Sequence, residues 1–154
     1  MMVSFFLNGK SVSPDVAPGM SLLAYLRAEN FFSVKYGCDQ GECGACTVLV
    51  NGKAQNACLI LMGSLAGEQI ETLEGLNATR RMEILQAAFM DEGAIQCGYC
   101  TPAMLLALEA LFRENPTPDE TEIRDALAGI YCRCTGFVKP VAAALKIRPM
   151  GVTK

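Results

Sequence analysis

Cysteine is the residue of this chain with the most chemistry to offer, and its eight copies fall into two sets of four. The first set is Cys38, Cys43, Cys46 and Cys58, a C-x4-C-x2-C run followed by a fourth cysteine. The second is Cys97, Cys100, Cys132 and Cys134, two close pairs separated by a stretch of helical character. Four thiolates per set is the number that a [2Fe–2S] cluster takes, and the first three positions have the plant-type spacing for one. In CDQGECGACT, Gly37, Gly41 and Gly44 are interleaved with the cysteines. They let three sulfurs turn inward from one tight loop and let amide N–H groups approach those sulfurs, which favours the reduced, more negative cluster. Zinc is the other metal commonly held by four cysteines, but its sites usually present two close pairs, and the first set does not. The second set does. Its spacing alone also admits zinc, or a C-x-x-C redox dithiol, although a dithiol leaves Cys132 and Cys134 unexplained.

The rest of the composition excludes a good deal. There is no histidine, which removes Rieske centres, Cys2His2 zinc fingers and imidazole acid–base chemistry. Neither a P-loop nor a G-x-G-x-x-G segment is present, so nothing points to a nucleotide or flavin on this chain. A net charge of −3 without a basic run argues against nucleic acid. Met1 to Gly9 has neither the basic start nor the cleavage region of a signal peptide. Gly63, Ser64, Gly67 and Glu68 interrupt the one long apolar run, so no membrane span is expected. A reducing compartment, the cytoplasm, follows as the expectation, and there paired cysteines hold metal more often than they form disulfides.

The elements that must position these cysteines change character halfway along the chain. Val3 to Leu7 reads as a strand, Asn8-Gly9 as a type I′ turn and Lys10 to Ser13 as the returning strand. Ser21 is placed to cap a helix that turns Leu22, Leu23 and Leu26 inward. Thr47 to Val50 alternates and meets a second Asn-Gly turn, Lys53 to Ala57 returns to deliver Cys58, and Gln69 to Leu73 reads as a last strand. Glu74 to Thr79 has the composition of a linker. Beyond it Met82, Leu85 and Phe89 recur at helical spacing, widened by Ile84 and Ala88. Thr101-Pro102 reads as a capped start, Thr101 the cap and Pro102 the first helical position of a helix to about Arg113, and the amides of that helix start are expected to favour thiolate charge. Thr117-Pro118-Asp119-Glu120 opens another with a Thr/Glu capping box, and a fourth starts near Pro140. Met104, Leu105, Leu106, Leu108, Leu111 and Phe112 are apolar around much of their helix, fitting burial in a bundle or a docking face.

Four stretches, SVKYGCDQGECGACTVLVNG, ETLEGL, AIQCGYCTPAM and EIRDALAGIYCRCTGF, span nearly the whole chain. In them the sequence resembles the small iron–sulfur subunit of the molybdenum hydroxylases: the xanthine dehydrogenase, aldehyde oxidoreductase and aerobic carbon monoxide dehydrogenase group. The resemblance implies an α+β chain, with a plant-type, ferredoxin-like β-grasp domain over residues 1–76 and a four-helix-bundle domain over 77–154. It implies one [2Fe–2S] cluster in each, the first on Cys38, Cys43, Cys46 and Cys58 and the second on Cys97, Cys100, Cys132 and Cys134. It further implies a large partner subunit whose molybdopterin cofactor is contacted by Gln96 and Cys134, and a medium subunit carrying FAD. Electrons would leave the molybdenum centre through the helical-domain cluster, then the ferredoxin-like one, then FAD. No catalytic residue is expected on this chain, and the substrate would be a purine or other N-heterocycle, or an aldehyde. A stand-alone two-cluster carrier is the alternative, and a zinc-stabilised interaction module a further one. Ala103, Ile130-Tyr131 and Phe137 depart from the glycine, Asn-Leu and tyrosine common in the family, and none of these positions is an expected ligand.

Overall fold

A computed structural model describes residues 1–148; the end of the expected second domain, residues 149–154, lies outside the described residues. The first half is a five-stranded mixed sheet crossed by one helix. Strand β1 (Phe5–Leu7) turns through Asn8 and Gly9, both at positive φ, into β2 (Lys10–Val12). Helix α1 (Leu22–Ala28) follows, with Ser21 Oγ accepting from the Ala24 N–H at 3.2 Å. The cysteine loop then leads into β3 (Thr47–Val50), a second Asn-Gly turn, β4 (Lys53–Asn56) and, after two 3₁₀ turns, β5 (Gln69–Glu71). The spatial order is β2-β1-β5-β3-β4, with β1 and β5 parallel and the other pairs antiparallel. Leu22, Leu23, Tyr25 and Leu26 of α1 share a core with Phe5, Leu7, Val48, Val50 and Ile70, so the helix is buried across one face of the sheet.

Two boundaries differ from the sequence expectation for local reasons. β4 ends at Asn56 because Ala57–Leu59 tightens into a 3₁₀ turn around Cys58. β5 ends at Glu71 because Thr72 precedes a single helical turn, α2 (Leu73–Leu76), where a linker was expected. Thr72 is buried and paired with Asn8, whose Nδ2 donates to Thr72 Oγ1 at 3.1 Å while its Oδ1 accepts the Thr72 N–H at 2.8 Å. The ETLEGL segment thus ties the first hairpin to the start of the second half.

That second half comprises α3 (Arg80–Asp91), α4 (Thr101–Glu114), α5 (Glu120–Leu127) and α6 (Val138–Ile147). Three expected starts shift. Thr101 is the first helical residue rather than the cap: Cys100 holds the cap position, and no side chain caps the helix there. The capping box of α5 is Asp119 with Glu122, two residues beyond the Thr117/Glu120 pair. α6 begins at Val138, slightly before Pro140. Helix α4 is buried on nearly every side, Ala103 through Glu109 and Phe112 being enclosed, because it packs against the other helices and also against β3 and β4. The alternation expected along β3 therefore disappears: all four residues are buried, with Leu49 facing the helical core and Val48 and Val50 the sheet core. Each such leucine, fully removed from water, contributes on the order of 2 kcal/mol. The apolar face of α4 is covered by this chain's own sheet. Among the described residues no helix is long and apolar enough to cross a membrane.

Candidate metal centres

The first four cysteines lie on one loop and on the 3₁₀ turn that follows β4. Between Lys35 and Thr47 the loop is closed by the Lys35 N–H to Ala45 O bond at 3.2 Å and is pinned to the β4 side where Asn56 Nδ2 donates to Gly41 O at 3.1 Å. Within it, the backbone N–H groups of Gln40, Glu42 and Cys43 all donate to Cys38 Sγ, at 3.4, 3.4 and 3.3 Å. Those donors, Cys43's first and Gln40's next, hold the Cys38 thiol down at about 7. Cys46 has the opposite environment: burial pushes it up to about 12. The four sulfurs are close enough to act on one another, Cys43 on Cys38 and both Cys58 and Cys43 on Cys46. Gly37 is needed beside them because a Cβ there would lie 2.5 Å from Cys43 Sγ. Asp39 and Glu42 face water.

Two loops of the helical half bring the second set together. Cys97 and Cys100 lie just before α4, and Cys132 and Cys134 lie between α5 and α6. Cys134 Sγ is 3.6 Å from Cys97 Sγ, and Cys132 and Cys97 both act on the Cys100 thiol. All eight thiols are free. Cys100 is pushed up to about 12, by burial first and by Cys132 next, while its own backbone amide acts in the lowering direction. At Cys132 burial also pushes upward, but hydrogen bonds led by the Thr135 hydroxyl and its N–H outweigh it and the thiol is held below its usual value. Arg133, between the last two cysteines, is exposed. Gln96 Nε2 donates to the Cys134 carbonyl at 3.2 Å, and both residues are exposed, Cys134 at the outer edge of its set.

The sets adjoin. Cys43 O accepts the Tyr131 N–H at 2.9 Å, next to Cys132, and the Tyr99 hydroxyl donates to Tyr36 O at 2.6 Å. The Lys35 ammonium lies over the Tyr99 ring, 6.0 Å from its centroid. Sequence reasoning did not find these bridges or the Thr135 contact, although Thr135 sits in the same CRCTGF motif as its sulfur.

This donor chemistry suits a cluster of two irons. Such a cluster takes four cysteine sulfurs, and the fold gathers four free thiols at each place. The N–H donors and the glycine-lined approach at Cys38 and Cys43 are what an anionic cluster requires.

Fold and donors together define a two-centre iron–sulfur protein, and comparison with known proteins places it more closely. The family described as "2Fe-2S iron-sulfur cluster binding domain" matches residues 5–71, and that described as "[2Fe-2S] binding domain" matches 72–145. The chain is 44% identical over 142 residues to the nicotinate dehydrogenase small FeS subunit of Eubacterium barkeri, covering 92% of this chain and 90% of that protein. It is 45% identical over 134 residues to the xanthine dehydrogenase iron–sulfur-binding subunit of Escherichia coli O157:H7, covering 85% and 84%. Among solved structures, quinoline 2-oxidoreductase from Pseudomonas putida 86 superimposes with a TM-score of 0.88 at 36% identity, over 99% of this chain and 98% of that one. The chain belongs to the small iron–sulfur subunits of the xanthine dehydrogenase family of molybdenum hydroxylases.

Proposed function

We propose that this chain carries electrons between a molybdenum-containing partner and a further acceptor, with Cys38, Cys43, Cys46 and Cys58 holding one [2Fe–2S] cluster and Cys97, Cys100, Cys132 and Cys134 the other. The observation that carries the assignment is the convergence of each quartet: the Cys43 N–H donates to Cys38 Sγ at 3.3 Å in the first, and Cys134 Sγ lies 3.6 Å from Cys97 Sγ in the second. When bound, each cluster takes up and gives back a single electron. The chain's own residues do the rest. Backbone amides stabilise charge at Cys38, buried Cys46 and Cys100 keep water from the inner side of each set, and the Cys43–Tyr131 bond holds the two loops together. Two units, divided at α2 after residue 76, each contribute one centre.

The partner is a large subunit with a molybdopterin-type cofactor, which meets the chain at Gln96 and Cys134; their exposure beside the second set supports this. A medium subunit with FAD receives the electrons nearer the first set. An N-heterocycle is the substrate class, supported by the nicotinate, xanthine and quinoline enzymes to which the chain is similar. The working compartment is the cytoplasm, where thiols remain reduced and available to iron.

The assignment is tested by purifying the chain with its accompanying polypeptides and measuring iron, acid-labile sulfide and EPR. About four irons per chain and two distinct signals are expected. Cys43→Ser should abolish one signal and spare the other. Zinc in place of iron would overturn the cluster reading, and a chain that purifies alone with both clusters would favour the independent carrier.

A further inference from the structure

Thr135 Oγ1 lies 3.1 Å from Cys132 Sγ, and the Thr135 N–H reaches the same sulfur at 3.4 Å. The Phe137 N–H in turn donates to Thr135 Oγ1 at 3.3 Å. A hydroxyl has one proton and two lone pairs. Phe137 occupies a lone pair, and a sulfur bound to iron has no proton to give, so the hydroxyl proton is directed to the sulfur. This arrangement requires the chain to curl back on itself, with Gly136 at φ 58° and Phe137 at φ 65°. Left-handed backbone is unfavourable for a bulky residue, and such strain persists only where surrounding structure imposes it. Here the Phe137 side chain packs against the helical core, which holds the turn in place. The contrast with Cys38 is direct: its three donors are all main-chain N–H groups, whereas this one is a side chain that a substitution can delete.

We propose that the Thr135 hydroxyl sets the reduction potential of the helical-half cluster by donating to Cys132 Sγ, with the Phe137 turn orienting it. The inference rests on the ligand role proposed above for Cys132. On reduction that cluster gains one electron from its donor, no covalent bond forms or breaks, and the hydroxyl proton stays on Oγ1. The added negative charge spreads onto the sulfurs, so a donor to sulfur stabilises the reduced state more than the oxidised one and raises the potential.

The test is an EPR-monitored redox titration of the chain purified with its partners. Thr135→Val keeps the side-chain shape and removes the hydroxyl. It should lower the midpoint of the helical-half cluster by about 59 mV, a tenfold loss in the reduction equilibrium for one electron. The other midpoint should stay in place, and Thr135→Ser should restore the wild-type value. The proposal is overturned if the valine variant titrates like wild type, or if serine shifts as far as valine. Should the valine variant not retain both signals, Thr135→Ala is titrated against the same two criteria. A Cys132→Ser variant with both signals unaltered would instead sink the ligand reading itself, so the two failures are distinguishable.

Discussion

Gly44 stands between two expected ligands, Cys43 and Cys46, and has φ 68°. A Cβ at this position would fall 2.2 Å from the Gly129 carbonyl oxygen and 2.9 Å from Ile130 Cα, in the segment leading to Cys132. Backbone cannot swing aside as a side-chain tip can, so both the conformation and the contact demand glycine. Gly44→Ala should destabilise the protein by about 1–3 kcal/mol. Because the displaced neighbour leads to the second set, it should also weaken both EPR signals. Gly19→Ala, at a position with nothing within 4 Å, is the control and should leave thermal midpoint and iron content unchanged. The importance of glycine in this loop is readable in CDQGECGACT, because three sulfurs cannot converge from so short a segment otherwise. Which glycine touches the other half is not readable, since Gly129 lies 85 residues away, counting from 44 to 129.

At the scale of elements, α5 shows how a cap is chosen. TPDETE contains two overlapping patterns, Thr117 with Glu120 and Asp119 with Glu122. The second forms: Asp119 Oδ1 accepts the Glu122 N–H at 2.9 Å, and Glu122 Oε2 accepts the Asp119 N–H at 2.8 Å. The reason lies just upstream, where Asn115 accepts the Thr117 N–H at 3.0 Å and donates to the Glu122 carboxylate, holding Thr117 in a turn. Asp119→Ala should therefore cost about 1 kcal/mol, read as a fall in denaturation midpoint. Thr117→Ala should cost close to nothing. Equal losses in the two variants would put the cap at the wrong residue. The hairpins were legible for the opposite reason: at Asn8-Gly9 and Asn51-Gly52 the turn needs φ > 0 at both positions and no competing pattern exists.

At the scale of the whole molecule, a polar clamp joins the halves beside the apolar interface of β3 and α4. Arg113 on α4 donates to both Glu71 carboxylate oxygens on β5, at 2.6 and 3.1 Å, and its Nε donates to Glu109 Oε1 at 2.8 Å. Arg81 Nη1, from α3, reaches the same Glu109 oxygen at 3.1 Å. Glu109 is only 3% exposed, and two guanidinium groups meet its Oε1. Glu71's hydrogen bonds hold the Arg113 proton more firmly than usual, against the opposing effect of burial. Removing one member of a buried ion pair leaves an uncompensated charge and costs about 3–5 kcal/mol; the remaining Arg81 contact brings the expectation for Arg113→Met to the lower end. The two halves should then unfold in separate transitions in urea, followed by far-ultraviolet circular dichroism and by cluster absorbance. A single transition at the wild-type midpoint would show that β3 and α4 alone hold the halves together. Glu109 and Arg113 stand four residues apart on one helix, whereas nothing local in the sequence relates Glu71 on β5 to α4.

Local structure was settled by the residues themselves: Asn-Gly selects the hairpins, and Ser21 before three leucines selects α1, while the C-x4-C-x2-C spacing pointed the first cysteine set, but not the second, to a cluster. These depend on interactions within a few positions of one chain segment. Tertiary structure decided what depends on distant segments meeting. It gathered each quartet of cysteines, buried β3 on both faces, covered α4 with the sheet, turned the α2 segment from linker into seam, and brought Cys43 against Tyr131. Hydrophobic burial drives such meetings without direction or sequence signature, so only the packed chain reveals which partners it selects.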